Sequence, residues 1–282
     1  MVNEILLPKS DIIFKLLFGD ERSIELLTDF LKSVLRLPAD DYDEVILIDP
    51  HLKREYPGDK LGILDIKVKT KSKKTIDIEI QVLPSPELRE RIVFYNAKMI
   101  AEQMGVGDPY AKLKRVISII ITDFDFIPES KRYHHRYTLY DPGAKSEFTD
   151  IIEINTLELV KRPKDEDGTE LWNWMYFLSA SSKEEFDMIA EKSPQVKKAV
   201  VRLMELSADE RTRLLYESRQ KMEWDIRARE RGARSEGETL KAFAIAKKML
   251  IRNRPIDEII EDTELTREEV ESLRDEIDMD SR

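Results

Sequence analysis

Residues 64–82 read LDIKVKTKSKKTIDIEIQV, and two β-branched stretches in this segment alternate apolar with polar residues. Such alternation predicts two half-buried strands, and the lysine-rich stretch between them predicts a turn. If the hairpin is centred on Ser72, residues whose numbers sum to 144 face each other, and Asp65 lies opposite Glu79. Directly opposed Cβ atoms are only ~4.5–5.5 Å apart. Two carboxylates at that distance repel each other unless a cation joins them, so the segment predicts a cation site.

An ordinary exposed strand face, on which lysines pair with carboxylates, would show the same alternation. Two features favour partial burial of the acids. Asp65 directly follows the apolar pair Ile63-Leu64, and Glu79 lies between Ile78 and Ile80. Because an unpaired buried charge is costly, a buried acid here needs a partner. We therefore expect one face of the second strand to be buried and the other to line a cleft, with Ile76, Ile78, Ile80 and Val82 inward and Asp77, Glu79 and Gln81 in the cleft.

The composition limits which cation this site can bind. The 282 residues include no cysteine and three histidines, so thiolate sites are excluded and a histidine-rich site is disfavoured. Carboxylate oxygens are ligands for hard cations, and Mg²⁺ or Mn²⁺ is the prediction for this pair. The absence of cysteine also indicates a reducing compartment, and the start MVNEILLPKS lacks the pattern of a signal peptide. We therefore expect a cytoplasmic protein.

The order of patterns along the chain predicts an α/β fold with helices flanking a mixed sheet. Apolar stripes predict helices in residues 11–18, 21–37 and 87–104, and strand patterns occupy 44–50, 64–82, 114–124, 136–141 and 150–159. The continuous apolar run VISIII in the third strand region predicts a strand buried on both faces. No window approaches the ~20 apolar residues that cross a bilayer, so no membrane contact is expected.

From about residue 165 the sequence becomes helical and strongly charged, which divides it into three predicted domains: a core at 1–165, a helical extension at 166–234 and a small helical tail at 235–282. Trp172 and Trp174 are expected to anchor the helical extension on the core. Residues 230–243, ERGARSEGETLKAF, predict an exposed helix or a poorly ordered connector. In the tail, Thr266 and Glu269 form the pattern of a capping box.

The net charge of −10 argues against a passive nucleic-acid coat protein, but a local basic patch is sufficient for a nucleic-acid enzyme. The turn of the hairpin carries such a patch, and a lysine run of this kind is more often a solvated tip. Arg91 lies one helical turn from Tyr95 on the following helix, where either a phosphate contact or packing fits. The candidate DNA-binding residues are Lys67, Lys69, Lys71 and Arg91.

The ordered set of segments resembles the PD-(D/E)XK nuclease family transposases, also called the recombination-promoting nuclease or putative transposase family. The similar stretches are SDIIFKLLFGDE, DKLGILDIKVKT, IDIEIQV, RIVFYNAKMIAEQM and VISIIITDFDFIP, followed by a variable helical tail. The resemblance covers nearly the whole chain in order. It implies a restriction-endonuclease-like mixed sheet flanked by helices, with a helical C-terminal extension.

The resemblance also implies roles for individual residues. Asp65 matches the metal-binding acid of the central hairpin, and Glu79 matches the acid of the second strand. Gln81 stands where the wider superfamily has lysine, which would orient the attacking water and carry a positive charge. Asp11 matches an N-terminal polar position. The implied catalytic set is thus Asp65, Glu79, Gln81 and Asp11, with Asp65 and Glu79 as ligands of Mg²⁺ or Mn²⁺.

Two functions are consistent with these residues. The first is a metal-dependent DNA endonuclease associated with recombination or mobile elements, and the presence of both acids favours it. The second is a weak or inactive nuclease fold that serves as a binding or regulatory module, and Gln81 together with the negative net charge favours it. The last helix is acidic, which opposes insertion into a DNA groove, so the tail is interpreted as a contact surface for a second copy or another protein.

Overall fold

The structure is a computed structural model that describes residues 5–52 and 64–280. Six strands and nine α-helices are assigned within these residues. The strands are β1 (Val45–Ile48), β2 (Ile66–Thr70), β3 (Thr75–Gln81), β4 (Val116–Thr122), β5 (His134–Asp141) and β6 (Ser146–Glu158). The helices are α1 (Asp11–Phe18), α2 (Ile24–Val34), α3 (Leu88–Ala101), α4 (Glu170–Ser179), α5 (Lys183–Lys192), α6 (Pro194–Ala208), α7 (Glu210–Ile251), α8 (Ile256–Thr263) and α9 (Arg267–Asp280).

The strands form one mixed sheet in the order β1-β2-β3-β4-β6-β5. Strands β1, β2 and β3 are antiparallel neighbours, β3, β4 and β6 run parallel, and β5 is antiparallel to β6. The two parallel pairs require crossover connections, and α3 supplies the one between β3 and β4. The predicted α/β fold with a mixed sheet and flanking helices is confirmed.

The hairpin of β2 and β3 has the predicted register. Lys67 pairs with Asp77 and Ile66 with Ile78, so the residue numbers sum to 144 as expected. Ile76, Ile78 and Ile80 are buried, as predicted. Val82 is half-buried because it lies just past the end of β3, so its predicted full burial was wrong. Ile63, which precedes Leu64 in the sequence pattern, lies outside the described residues.

One face of the sheet packs against helices from both ends of the core. The apolar side of β3 and the matching residues of β4 join a cluster with α1, α2, α4 and α6. Trp174 lies at its centre, with ring centroids 5.6 Å from Phe18 and 5.9 Å from Phe30. Its indole Nε1 donates to Asp29 Oδ2 at 2.9 Å. The predicted anchoring of the helical extension by Trp174 is therefore confirmed.

Helix α3 covers the opposite face of the sheet. Leu88 and Ile92 pack against Ile120 of β4, and Met99 packs against Val116. All seven residues of β4 are buried, which confirms the prediction of a strand enclosed on both faces. Because the polar side chains of β3 point to the α3 side, this helix forms one wall of the candidate site.

The chain divides into two compact units, Met1–Arg219 and Gln220–Arg282. In the second unit, Ala246, Ile259, Leu265 and Val270 form a small core from the end of α7, α8 and α9. Residues 230–243, predicted as a helix or connector, are helical and part of α7. Glu269 N donates to Thr266 Oγ1 at 3.3 Å and Thr266 N donates to Glu269 Oε2 at 2.8 Å, so the predicted capping box is confirmed.

Within residues 5–52 and 64–280, no helix combines the length and the apolar character that a bilayer-spanning segment needs.

Candidate active site

Two carboxylates meet where the hairpin opens. Asp65 immediately precedes β2, and its Oδ2 accepts a hydrogen bond from the backbone N–H of Ile80 at 3.1 Å. This bond holds the Asp65 side chain against β3, next to Glu79. The other oxygen, Oδ1, lies 2.9 Å from Nζ of Lys15 in α1. The hairpin register and one backbone hydrogen bond therefore position the first acid, and a lysine from a distant helix neutralises it.

Glu79 is only 4% exposed, although its hydrogen bonding is weak. Gln81 Nε2 donates to its Oε2 at 3.4 Å, and Nη2 of Arg91 in α3 lies 3.7 Å from the same oxygen. Burial raises the pKa of Glu79 to about 7, and the charge of Asp65 adds to the rise, while Arg91 and Lys15 oppose it. Glu79 is therefore about half protonated at neutral pH, because burial and the charge of Asp65 outweigh the two cations.

Asp77 lies below this pair on the same face of β3. Its side chain is 1% exposed, and Ser118 Oγ donates to Oδ2 at a long 3.4 Å. Ser118 in turn accepts from Asn96 Nδ2 at 2.9 Å. The other oxygen, Oδ1, accepts no hydrogen bond from any described residue. Burial, followed by the charges of Glu79 and Asp65, raises the pKa of Asp77 well above its ordinary range.

The cleft prediction is met only in part. Asp77 and Glu79 face the predicted side of β3, yet both are buried beneath α3, and Gln81 alone is half-buried. Strand side chains on this face are covered because α3 returns over the sheet directly after β3. The acids are thus held in a desolvated environment, in which their mutual repulsion is stronger than in water.

The donor chemistry of Asp65 and Glu79 fits a hard divalent cation. Across the described ranges, no group of three or more acidic or histidine side chains is arranged to hold a metal ion. Mg²⁺ in phosphate-processing sites is commonly bound by one or two carboxylates, with water and phosphate oxygens completing the shell. Two observations fit a cation bound here: Glu79 is buried with a raised pKa, and the buried Oδ1 of Asp77 has no hydrogen-bond partner among the described residues.

Asp11 forms an ion pair at the first turn of α1. Its Oδ2 lies 2.7 Å from Nη2 of Arg219, and its Oδ1 accepts from Arg219 Nε at 3.0 Å. Asp11 lies one helical turn before Lys15 in α1, so it shares a helix with the lysine that reaches Asp65. Its proposed catalytic role stays a prediction.

The predicted DNA-binding residues have different surroundings. Lys67 is buried with its Nζ 3.0 Å from Glu102 Oε2, and exposed Lys71 lies 2.9 Å from Asp43 Oδ2. Lys69 is exposed and makes no ion pair with any residue of the described chain. Arg91 faces Glu79, as described above. Their contact with DNA stays a prediction.

Sequence reasoning missed Lys15 and the N–H of Ile80. A signal for Lys15 was present, because it is the only basic residue in the apolar helix DIIFKLLF. The N–H of Ile80 has no sequence signature, since every strand residue carries the same group. Tyr95 is a further neighbour, and burial together with the charge of Glu79 raises the pKa of its hydroxyl.

Comparison with known proteins gives one match. A family model described as PD-(D/E)XK nuclease family transposase matches residues 8–233. This range includes both strands of the hairpin and both candidate acids, Asp65 and Glu79. No curated protein matches the chain. No solved structure matches it either.

Proposed function

Because the chain belongs to the PD-(D/E)XK nuclease family transposases, we propose that it is a metal-dependent DNA endonuclease associated with recombination or mobile elements. The observation that carries the proposal is the pair of half-buried Asp65 and buried Glu79, in which the pKa of Glu79 is raised to about 7. Strongly perturbed acids in a desolvated site are typical of catalytic centres.

In the proposed reaction, Asp65 and Glu79 hold Mg²⁺ or Mn²⁺. When bound, the cation polarises a phosphate oxygen and lowers the pKa of a bound water. The N–H of Ile80 keeps Asp65 oriented, so the acid does not have to be ordered when the substrate binds. Gln81 offers an amide that can hydrogen-bond the attacking water. Arg91 has Nε and Nη2 buried without a hydrogen-bond partner in the described chain, and its role is to contact the phosphate.

The basic residues of the hairpin draw the DNA to the site. Lys69 is available as it stands, whereas Lys67 and Lys71 exchange their carboxylate partners for phosphate when DNA binds. Such contacts weaken as salt increases, because neutralised phosphates release counterions. We also propose a cytoplasmic location, and a contact with a second copy or another protein through the C-terminal helices.

The test is a plasmid-nicking assay with purified protein, with Mg²⁺, with Mn²⁺ and with a chelator. We expect nicking only with a divalent cation. The companion variant is Gln81→Lys, which places a cation on β3 and is expected to retain or raise the nicking rate. Metal-independent nicking, or nicking that separates from the protein during purification, would refute the proposal.

The alternative is a binding or regulatory module with the same fold. It is favoured by the pairing of Lys67 and Lys71 with carboxylates and by the neutral Gln81. Thermal melting with Mn²⁺ distinguishes the two functions, because a ligand that binds only the folded state raises the melting midpoint. No shift in the wild type, or an equal shift in Asp65→Ala, would favour the binding module.

A further inference from the structure

Helix α1 brings a lysine directly to the acids. Nζ of Lys15 lies 2.9 Å from Asp65 Oδ1, and the charge of Lys15 also lowers the pKa of Glu79. The Lys15 side chain is 43% exposed, whereas that of Asp65 is 15% exposed. The ammonium group is therefore at the open side of the pair, where an incoming phosphate would arrive.

Strand β3 itself supplies no positive charge at this point. Gln81 ends β3 with an uncharged amide that faces Glu79. The nearby Lys67 is turned away and pairs with Glu102. Within residues 5–52 and 64–280, the cations that form ion pairs with Asp65 and Glu79 are Lys15 and Arg91 respectively.

Lys15 and Arg91 are not equivalent. Arg91 lies 3.7 Å from Glu79, and its buried Nε and Nη2 limit its movement. A lysine is a compact charge on a flexible stem, so Lys15 can leave Asp65 and follow a phosphate oxygen without moving its helix. Negative charge that develops on a phosphate during hydrolysis is stabilised by a cation that is already in place.

We propose that Lys15 is the cation that faces the reacting phosphate and supplies the positive charge that Gln81 lacks. This inference rests on the proposed nuclease function. Before substrate binds, Lys15 neutralises Asp65. In the complex, its ammonium group moves from Asp65 Oδ1 to the phosphate, which frees that carboxylate oxygen to serve as a ligand. A lysine from a helix thus performs at this site the electrostatic role that strand β3 leaves unfilled.

The position of Lys15 is fixed by the packing of α1. Its neighbours Phe14 and Phe18 in the same helix are fully buried in the core. At the other end of this segment, Lys9 Nζ lies 2.7 Å from Asp123 Oδ2. The last turn ends at Gly19, where a Cβ atom would lie only 2.7 Å from the carbonyl oxygen of Lys15. The helix therefore holds the base of the lysine still while its ammonium group stays mobile.

The experiment compares Lys15→Gln with Lys15→Arg, with the double variant Lys15→Gln/Gln81→Lys and with the matched control Lys9→Gln. Lys9→Gln removes an ion pair of similar length from the turn that precedes α1, but its partner Asp123 is not one of the candidate acids. Plasmid nicking is measured with Mn²⁺, Mn²⁺ binding is measured by titration calorimetry without DNA, and folding is followed by thermal melting.

We expect Lys15→Gln to lower the nicking rate by about 100-fold, in the range seen when one preorganised charge-stabilising group is removed. Mn²⁺ binding and the melting midpoint stay near wild type, because both acids remain. Lys15→Arg, which keeps the charge, retains most of the rate, and Lys9→Gln nicks at the wild-type rate. In the double variant, the lysine on β3 restores at least about tenfold of the lost rate.

Nicking by Lys15→Gln at the wild-type rate would overturn the inference and leave the nuclease function intact. Equal losses in Lys15→Gln and Lys9→Gln would also overturn it, because the docking of α1 would then be the cause. Loss of Mn²⁺ binding in Lys15→Gln would show that the lysine acts only through Asp65. A wild type that does not nick under any condition would overturn the proposed function, and this inference with it.

Discussion

Glu79 and Glu153 are two buried acids of the same sheet with opposite surroundings. Glu153 on β6 accepts hydrogen bonds from Arg115 Nη1 at 3.2 Å and from Arg136 Nη2 at 3.0 Å on one oxygen. Its other oxygen accepts from Asn155 Nδ2 at 2.9 Å. Glu79 on β3 has only a 3.4 Å bond from an amide and a cation at 3.7 Å.

The difference separates an acid that supports the fold, Glu153, from the acid for which we propose a function, Glu79. Burial costs little when a carboxylate is fully hydrogen-bonded and paired, as Glu153 is. Glu79 is buried beside the like charge of Asp65 without such compensation, and its pKa rises to about 7 as a result. A protein tolerates this arrangement where another ligand completes the site. Four experiments test that contrast.

The largest effect is expected when one of the two candidate metal-binding acids, Asp65 or Glu79, is removed. Asp65→Ala and Glu79→Ala should each abolish divalent-metal-dependent nicking, with a loss of at least about 10⁴-fold, because each removes one ligand. Their free energies of unfolding should stay within about 1 kcal/mol of wild type, since relief of like-charge repulsion offsets lost contacts. A nicking assay and urea denaturation on the same preparations measure both. Wild-type nicking by Asp65→Ala would contradict the assignment.

Removal of Glu153, the fully hydrogen-bonded acid, should have the opposite result, which is a loss of stability with little loss of nicking. Glu153→Ala removes the buried carboxylate that half-buried Arg115 and exposed Arg136 share, and with it three hydrogen bonds, so the free energy of unfolding should fall by about 3 kcal/mol. Urea denaturation gives the value, and Glu153→Gln, which retains one acceptor oxygen, is the milder control. If Glu153→Ala were as stable as wild type, the two acids would not differ in the way described.

The pH dependence of stability should report Glu79. Its pKa is about 7 in the folded protein against an ordinary value of 4.5, so the folded state binds more protons than the unfolded state between these values. The free energy of unfolding should therefore decrease as pH rises from about 4.5 to 7, by on the order of 3 kcal/mol from this group. It should then level off.

Glu79→Gln is the control for this slope, because it cannot ionise. The difference in unfolding free energy between wild type and Glu79→Gln, followed from pH 4 to 8, isolates the contribution of the group. The same protonation should weaken Mn²⁺ binding below pH 7, since a ligand carboxylate must lose its proton. A difference that does not change with pH would show that Glu79 is an ordinary carboxylate.

The smallest effect is expected for Asp77→Asn. Burial raises the pKa of Asp77 and so disfavours its charged form, and asparagine has nearly the same shape without an ionisable group. Stability at pH 7 should change by less than about 1 kcal/mol. A large loss of stability would indicate that Asp77 is ionised and paired.

Local patterns predicted the hairpin well and its partners poorly. The alternation in 64–82 and the short lysine turn were enough to give the register of β2 and β3, because strand pairing across a tight turn is a local property. The partners of Lys67 and Lys15 could not be predicted, since Glu102 and Asp65 belong to elements that meet only through tertiary packing. The continuity of α7 through two glycines also has no strong local signal.

Helix α1 and the segment before it contact residues that are synthesised much later. Asp11 pairs with Arg219, 208 positions later, and the N–H of Leu6 donates to Ser207 Oγ, 201 positions later. Contacts of such sequence separation close late in folding, and during synthesis they wait until the distant segment has left the ribosome. Lys15 therefore reaches its final position beside Asp65 only when about three quarters of the chain has emerged. A partly synthesised chain contains the acids of the hairpin without the lysine that faces them, so the candidate site is assembled only when the core is complete.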